Sequence, residues 1–168
     1  MVGRLNRWLF GVALIIGGVD SHAQGWTVTE ATTTARARWM ATVTSASGNK
    51  LRMWREIVKT KFQAFAQLEL EKGQFGDQPP QYRIDQEMWR NLDTPVGRTA
   101  KLEAERVTWM VWSGMTQDIG ADDALQNWIK GATVTFQWTD KKGRIQEDTF
   151  SLAGAGEAIQ RVVSGTYR

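Results

Sequence analysis

Residues 62–71, FQAFAQLELE, set apolar and polar side chains in alternation. Phe62, Ala64, Ala66, Leu68 and Leu70 fall on every second position, with Gln63, Gln67, Glu69 and Glu71 between them. A period of two places the first set on one face of a β-strand and the second in water. Only Phe65 breaks the pattern. A half-buried strand of this kind belongs to an antiparallel sheet with one face on the core.

The same alternation spreads outward from this stretch. Upstream, residues 26–28 read as a first short strand, and residues 35–44 set Ala37, Trp39, Ala41 and Val43 against Arg36, Arg38, Met40, Thr42 and Thr44. Residues 45–49 have the composition of a turn, and residues 51–58 return as the second arm of a hairpin. Arg55 shares the face of Leu51, Met53 and Ile57, which predicts either a sheet edge or a register-shifting bulge there.

Downstream, KGQFGDQPP at 72–80 reads as a loop, because its glycines and the Pro79-Pro80 pair cannot continue a paired strand. Residues 82–85, 107–112, 132–139 and 145–152 read as further strands. Residues 86–97 look irregular, with Trp89 a candidate plug, and 99–105 fit either strand or helix. Asp122 or Asp123 caps a short helix, DALQNWIK, that turns Leu125, Trp128 and Ile129 inward and ends at Gly131 in the C′ position. A second helix is expected around 157–163. The fold class that follows is mainly β: an antiparallel β-sandwich or partly rolled sheet with two short helices.

The first residues read as an address. Arg4 and Arg7 precede an apolar run over 8–19, and Ser21-His22-Ala23 supplies the small residues that a signal peptidase reads. The run is too short to span a bilayer, which takes about 20 residues. The expectation is a secretory signal over 1–23, cleaved before Gln24, and a single β-rich domain over 24–168 in the bacterial periplasm or secreted. Lipid attachment is excluded by the lack of a cysteine after the signal, and nothing later is apolar enough for a transmembrane segment.

The whole chain carries 21 basic and 18 acidic residues. Two arginines and one aspartate leave with the signal, so 19 and 17 remain, a net charge of +2. That is too little to make nucleic acid or membrane adsorption the main business. The chain has no cysteine, and its single histidine, His22, lies in the signal. The remainder therefore has no residues for imidazole or thiolate zinc sites, Ser–His triads, Cys–His dyads, haem ligation or redox thiols. No metal or cofactor is expected. Stability has to come from a core, and eight tryptophans beyond the signal supply apolar area for one.

Several groupings are candidates for function. Arg36, Arg38, Lys50, Arg52, Arg55, Lys59 and Lys61 surround one acid, Glu56. Arg36, Arg38, Lys50 and Arg52 form the candidate binding patch, for an envelope protein, a glycan or an anionic lipid. The plainer reading is a solvated face whose charges discourage edge pairing. Asp118, Asp122 and Asp123 near Gly120 invite a calcium reading, but the spacing fails the EF-hand pattern, and acids suit a helix N-terminus anyway.

Gly154-x-Gly156 lacks the third glycine of a dinucleotide fingerprint, so small residues for helix packing explain it. Ser47-x-x-Lys50 has the spacing of a serine–lysine pair but straddles a turn, without the accompanying motifs. Asp85, Glu87, Glu103, Glu147 and Asp148 can do acid–base work if two of them converge; otherwise they are exposed strand charges. Trp89, Trp109, Trp112 and Trp128 either pack the core or line a ligand groove. Trp109 and Trp112 have opposite parity, which predicts that at most one faces the main core.

The order of these features resembles the invasion-associated locus B family of bacterial periplasmic proteins, and the similarly organised accessory proteins of type VI secretion. The resemblance rests on Gly25-Trp26-Thr27-Val28, on a central alternating strand leading to Tyr82-Arg83-Ile84-Asp85, and on Thr149-Phe150-Ser151-Leu152 followed by Gly154 and Ala158-Ile159. It covers most of the chain after the signal, although both groups commonly carry cysteines and this chain has none. It implies a non-enzymatic β-sandwich in the envelope, serving host interaction or envelope assembly. The resulting expectation is a binding or scaffolding module. Its rivals are a carboxylate-dependent glycan hydrolase, which needs two acids roughly 5–9.5 Å apart, and a carrier of an apolar ligand, which needs a lined internal cavity.

Overall fold

The structure is a computed structural model that describes residues 25–33, 36–58, 61–92, 100–114 and 123–164; for 31–33, 36–38, 58, 123, 124 and 164 it describes the backbone. The expected signal over 1–23, the turn at 95–97 and the acids at 118 and 122 lie outside the described residues. Ten strands and two helices follow in order: β1 (Thr27–Thr33), β2 (Arg36–Thr44), β3 (Lys50–Val58), β4 (Lys61–Glu69), β5 (Gln81–Ile84), β6 (Arg90–Asn91), β7 (Lys101–Leu102), β8 (Arg106–Gly114), α1 (Asp123–Lys130), β9 (Thr133–Thr139), β10 (Ile145–Ser151) and α2 (Ala155–Ser164). One sheet has the order β1-β2-β3-β4-β8-β7 and the other β10-β9-β5-β6, with every pairing antiparallel. The fold is mainly β, with two open sheets and two short helices, as the alternation predicts.

β4 sits inside the large sheet between β3 and β8, and its Ala64, Ala66 and Leu68 are wholly buried. Phe65, the residue that breaks the alternation, points to the opposite face and stacks on Trp54 with ring centroids 5.8 Å apart. The inner faces of both sheets share one core. Val43, Leu51, Met53 and Leu68 come from the large sheet, Val134, Phe136 and Phe150 from the small one, and Leu125, Trp128, Ile159 and Val163 from the helices.

Three local features depart from a simple reading of periodicity. Ala64 pairs with Trp112 but Phe65 pairs with Met110, so Val111 is an extra residue that bulges out of β8. The bulge reverses parity beyond it. Trp109 and Trp112 therefore both face inward and are both buried, against the expectation that only one could. Arg55 stands just past Trp54, where the pairing of β3 with β2 ends, and beside the β4–β8 bulge; from the inner face opposite Ala64 it donates a hydrogen bond to the Val163 carbonyl at 3.1 Å and lies 5.3 Å from the Phe62 ring centroid. A cation suits that place, because the last carbonyls of α2 carry the negative end of its dipole. Third, Phe75 is buried within the 72–80 loop, edge-on to Trp138 with centroids 5.7 Å apart.

Gly131 follows α1, but not as a left-handed cap. Its N–H still donates to the Asn127 carbonyl at 2.9 Å, and a Cβ there would lie 2.5 Å from Ile84 Cγ2. It is glycine because helix and sheet meet at that point. Gly156 plays a related part, since its Cβ would stand 3.2 Å from Ile129 Cγ2, where α2 crosses α1.

The turn between β9 and β10 is organised by one half-buried carboxylate. Asp140 accepts the N–H groups of Lys142 and Arg144 at 2.8 and 3.0 Å, and the Arg144 guanidinium at 2.7 and 2.9 Å. The Arg144 backbone N–H is the largest cause that draws its carboxyl down from 3.8 to about 2. A depressed folded-state value stabilises the turn above the ordinary value and is lost as pH falls through the lowered one. Protection of the Arg144 amide, measured against its intrinsic exchange rate, is therefore expected to fall between about pH 4 and 2. The Asp140→Asn variant should show low protection throughout that range.

Candidate functional site

The backbone spreads the sequence-predicted patch along the β2–β3 hairpin, and the side chains of Arg36 and Arg38 lie outside the described residues. Arg36 and Arg38 lie in register with Thr33 and Ala31, whereas Lys50 and Arg52 lie in register with Thr44 and Thr42 at the other end of the same hairpin. From position 38 to position 42 is about 13 Å at the usual strand rise. Arg52 donates through both terminal nitrogens to the Glu69 carboxylate, and Glu69 is also the cross-strand partner of Lys50. The Arg52 hydrogen bond is the largest cause holding the Glu69 carboxyl below its ordinary range. The charge at that end is thus largely answered within the sheet.

The candidate acids are dispersed, and each has a structural partner. Asp85, at a positive φ of 51° beyond β5, accepts the N–H of Thr133 at 2.8 Å and that of Ala132 at 3.0 Å. These two bonds, Thr133 first, hold its carboxyl below the ordinary value. Glu87 pairs with Arg90 at 2.6 Å. Glu103 pairs with Lys101 and Arg106, and the Lys101 bond is the leading cause that lowers its carboxyl. A general acid needs the opposite shift.

Glu147 is exposed and accepts from Gln137 Nε2 at 2.5 Å. Asp148 is only 8 % exposed and so is no exposed strand charge. It pairs across strands with Phe136 on the inner face, where Ser45, Ser47 and Asn49 from the β2–β3 turn all donate to it. Of the four candidate tryptophans, Trp109, Trp112 and Trp128 are buried. Trp89 is half-buried, with the Arg83 guanidinium 4.6 Å from its ring centroid.

A different site lies on the outer face of the small sheet. Registers between successive strands place Glu147 opposite Gln137, Gln137 opposite Gln81, and Gln81 opposite Asn91. The row crosses all four strands and is three carboxamides and one carboxylate long. Gln81 Nε2 donates to Asn91 Oδ1 at 2.9 Å, and Gln137 donates to Glu147, so the four side chains are held in two pairs. Those bonds leave Gln81 Oε1, Gln137 Oε1 and Asn91 Nδ2 without a protein partner among the described residues.

Beside the row is an open cleft of about 540 Å³, walled by Gln78, Pro79 and Pro80 and reaching Trp138, Thr139 and Ile145. That volume falls in the roughly 300–1,000 Å³ range of small-ligand sites. Gln137 was legible as a polar strand position, but nothing in the sequence pairs it with Gln81, 56 residues earlier. Among the described residues no group of acids could hold a metal ion, and no helix is long and apolar enough to cross a membrane. No family model, curated protein or solved structure matches the chain.

Proposed function

We propose that the chain is an exported, non-enzymatic binding or scaffolding module of the bacterial envelope, in keeping with its resemblance to the invasion-associated locus B family. The observation that carries this reading is the polar row across β10, β9, β5 and β6, fixed in two hydrogen-bonded pairs yet open beside a ligand-sized cleft. Groups held in place before contact lose little entropy on binding, which is the physical advantage of a recognition surface.

The glycan hydrolase reading is less well supported, because Asp85 and Glu103 are shifted away from the proton-donating range and Asp148 is occupied by three side chains. The carrier reading is less well supported too, since Trp109, Trp128, Phe136 and Phe150 fill the centre of the core.

The test is a photo-crosslinking residue placed at Gln137 in the full chain, expressed with its own leader. The expected result is fractionation outside the cytoplasm and capture of envelope material from position 137. Retention in the cytoplasm, or breakdown of purified wall glycan by the purified protein, overturns the reading. Salt-sensitive capture from position 52 with none from 137 would move the contact surface to the large sheet.

A further inference from the structure

Resting on that binding reading, we infer that the cleft beside Pro79-Pro80 takes a neutral oligosaccharide segment. Charge decides the class of ligand first. None of the eleven described residues that line the cleft is ionised. The carboxylate nearest in the row, Glu147, is acidic and disfavours phosphate, sulfate or an anionic headgroup. Arg83, one row further along β5, does not line the cleft and sits over Trp89. Among the described residues, a phospholipid surface or an acidic polymer therefore finds no countercharge here.

Hydrogen-bond chemistry decides next. A carboxamide offers an acceptor and two donors in one plane, so it can serve a hydroxyl whichever way that hydroxyl turns. Gln81, Asn91 and Gln137 repeat such groups across the sheet at about the 4.8 Å strand spacing. Their mutual bonds leave at least one acceptor on each glutamine and donors on Asn91 directed to no protein atom among the described residues. A row of alternating donors and acceptors suits a polymer whose hydroxyls recur along its length. Gln78 adds a fourth carboxamide on the wall.

Apolar contact completes the match. Ile145 is 70 % exposed at one end, Pro79 is exposed at the wall, and Trp138 lines the floor. A sugar ring presents C–H groups on its faces and hydroxyls around its edge, and this cleft offers both kinds of partner. An extended peptide is a poorer fit. It would add to a sheet edge through its backbone, whereas the carboxamides project from the face.

The experiment uses the full chain and soluble neutral polysaccharides, namely a β-glucan, an α-mannan and a galactomannan, each cast into a native gel. Retardation by at least one is expected, little changed between low and high salt, and weakened about tenfold by Gln81→Ala or Gln137→Ala. Unchanged melting temperatures in the two variants keep the comparison clean, and Gln137→Glu serves if an alanine variant fails to fold. No retardation by any of the three overturns the inference, as does retardation that ignores both variants. So does stronger retardation in a further gel cast with dextran sulfate, if salt abolishes it. If position 137 captures envelope protein while all three gels are negative, the glycan assignment fails and the binding reading stands; if it captures nothing, the binding reading fails as well.

Discussion

Phe136→Ala is expected to lower the free energy of unfolding by about 4 kcal/mol and the melting temperature by roughly 8–15 °C. Phe136 is wholly buried in β9, at the centre of an aromatic cluster drawn from five elements. Its ring centroid lies 5.8 Å from Trp109 of β8, 5.8 Å from Phe150 of β10, 6.2 Å from Trp128 of α1 and 6.1 Å from Tyr82 of β5. Two of these contacts are edge-on, at 65° and 86°, the arrangement that the charge distribution of aromatic rings prefers.

Burial among the same rings also pushes the Tyr82 hydroxyl above its ordinary value, a sign of how dry the region is. Large flanking rings cannot collapse into the space a phenyl group leaves, so a cavity term adds to the lost transfer energy. Urea denaturation should show a lower midpoint with an unchanged slope. A loss below about 1 kcal/mol would mean that the cluster repacks freely and that Phe136 is not its centre.

The second large effect is expected at Asp148→Ala, with a loss of about 3 kcal/mol. The carboxylate accepts Ser45 Oγ and Asn49 Nδ2, each at 2.6 Å, Ser47 Oγ at 3.3 Å and the Thr149 N–H at 2.9 Å. Ser45 and Asn49 are 5 % and 6 % exposed, so their donors have little water to turn to when the acceptor goes. Unpaired buried donors cost about 1–3 kcal/mol each, which makes the partners, more than the aspartate, the source of the loss. Asn49 Oδ1 also accepts the Glu71 N–H at 2.9 Å, so loosening Asn49 weakens the end of β4 as well. Asp148→Asn should fall between wild type and alanine, because an amide keeps the shape but turns a donor toward donors. Hydrogen exchange should quicken in the 45–49 turn in both variants. Protection there as in wild type would remove Asp148 from its role.

These two residues mark where the sequence was legible and where it was not. Phe136 could be read as a core position from its alternation with Thr135 and Gln137, because periodicity is a property of neighbours along the chain. The same logic gave β4 and the inward stripe of α1. Asp148 could not be read, because the Ser45, Ser47 and Asn49 that make its burial tolerable are about a hundred residues away. Trp112 misled for a different reason: one inserted residue, Val111, flips every later side chain, and nothing in RVTWMVWSG announces a bulge. Phe75 hid in a segment whose glycines and prolines correctly spelled a loop but said nothing of what the loop carried inward. The carboxamide row needed three registers at once, two of them between strands far apart in sequence, so only a folded chain displays it.

The Arg55–Val163 tether has a consequence for how such a molecule comes into being. Together with the bonds from Trp26 to Ser151 and from Ser45 to Asp148, it ties the opening third of the polypeptide to its closing quarter. A chain delivered from its amino end has none of these partners until nearly all of it has emerged. Its early strands wait as an unclosed half until α2 forms and closes on Arg55, so a chain built this way stays pliable through most of its synthesis.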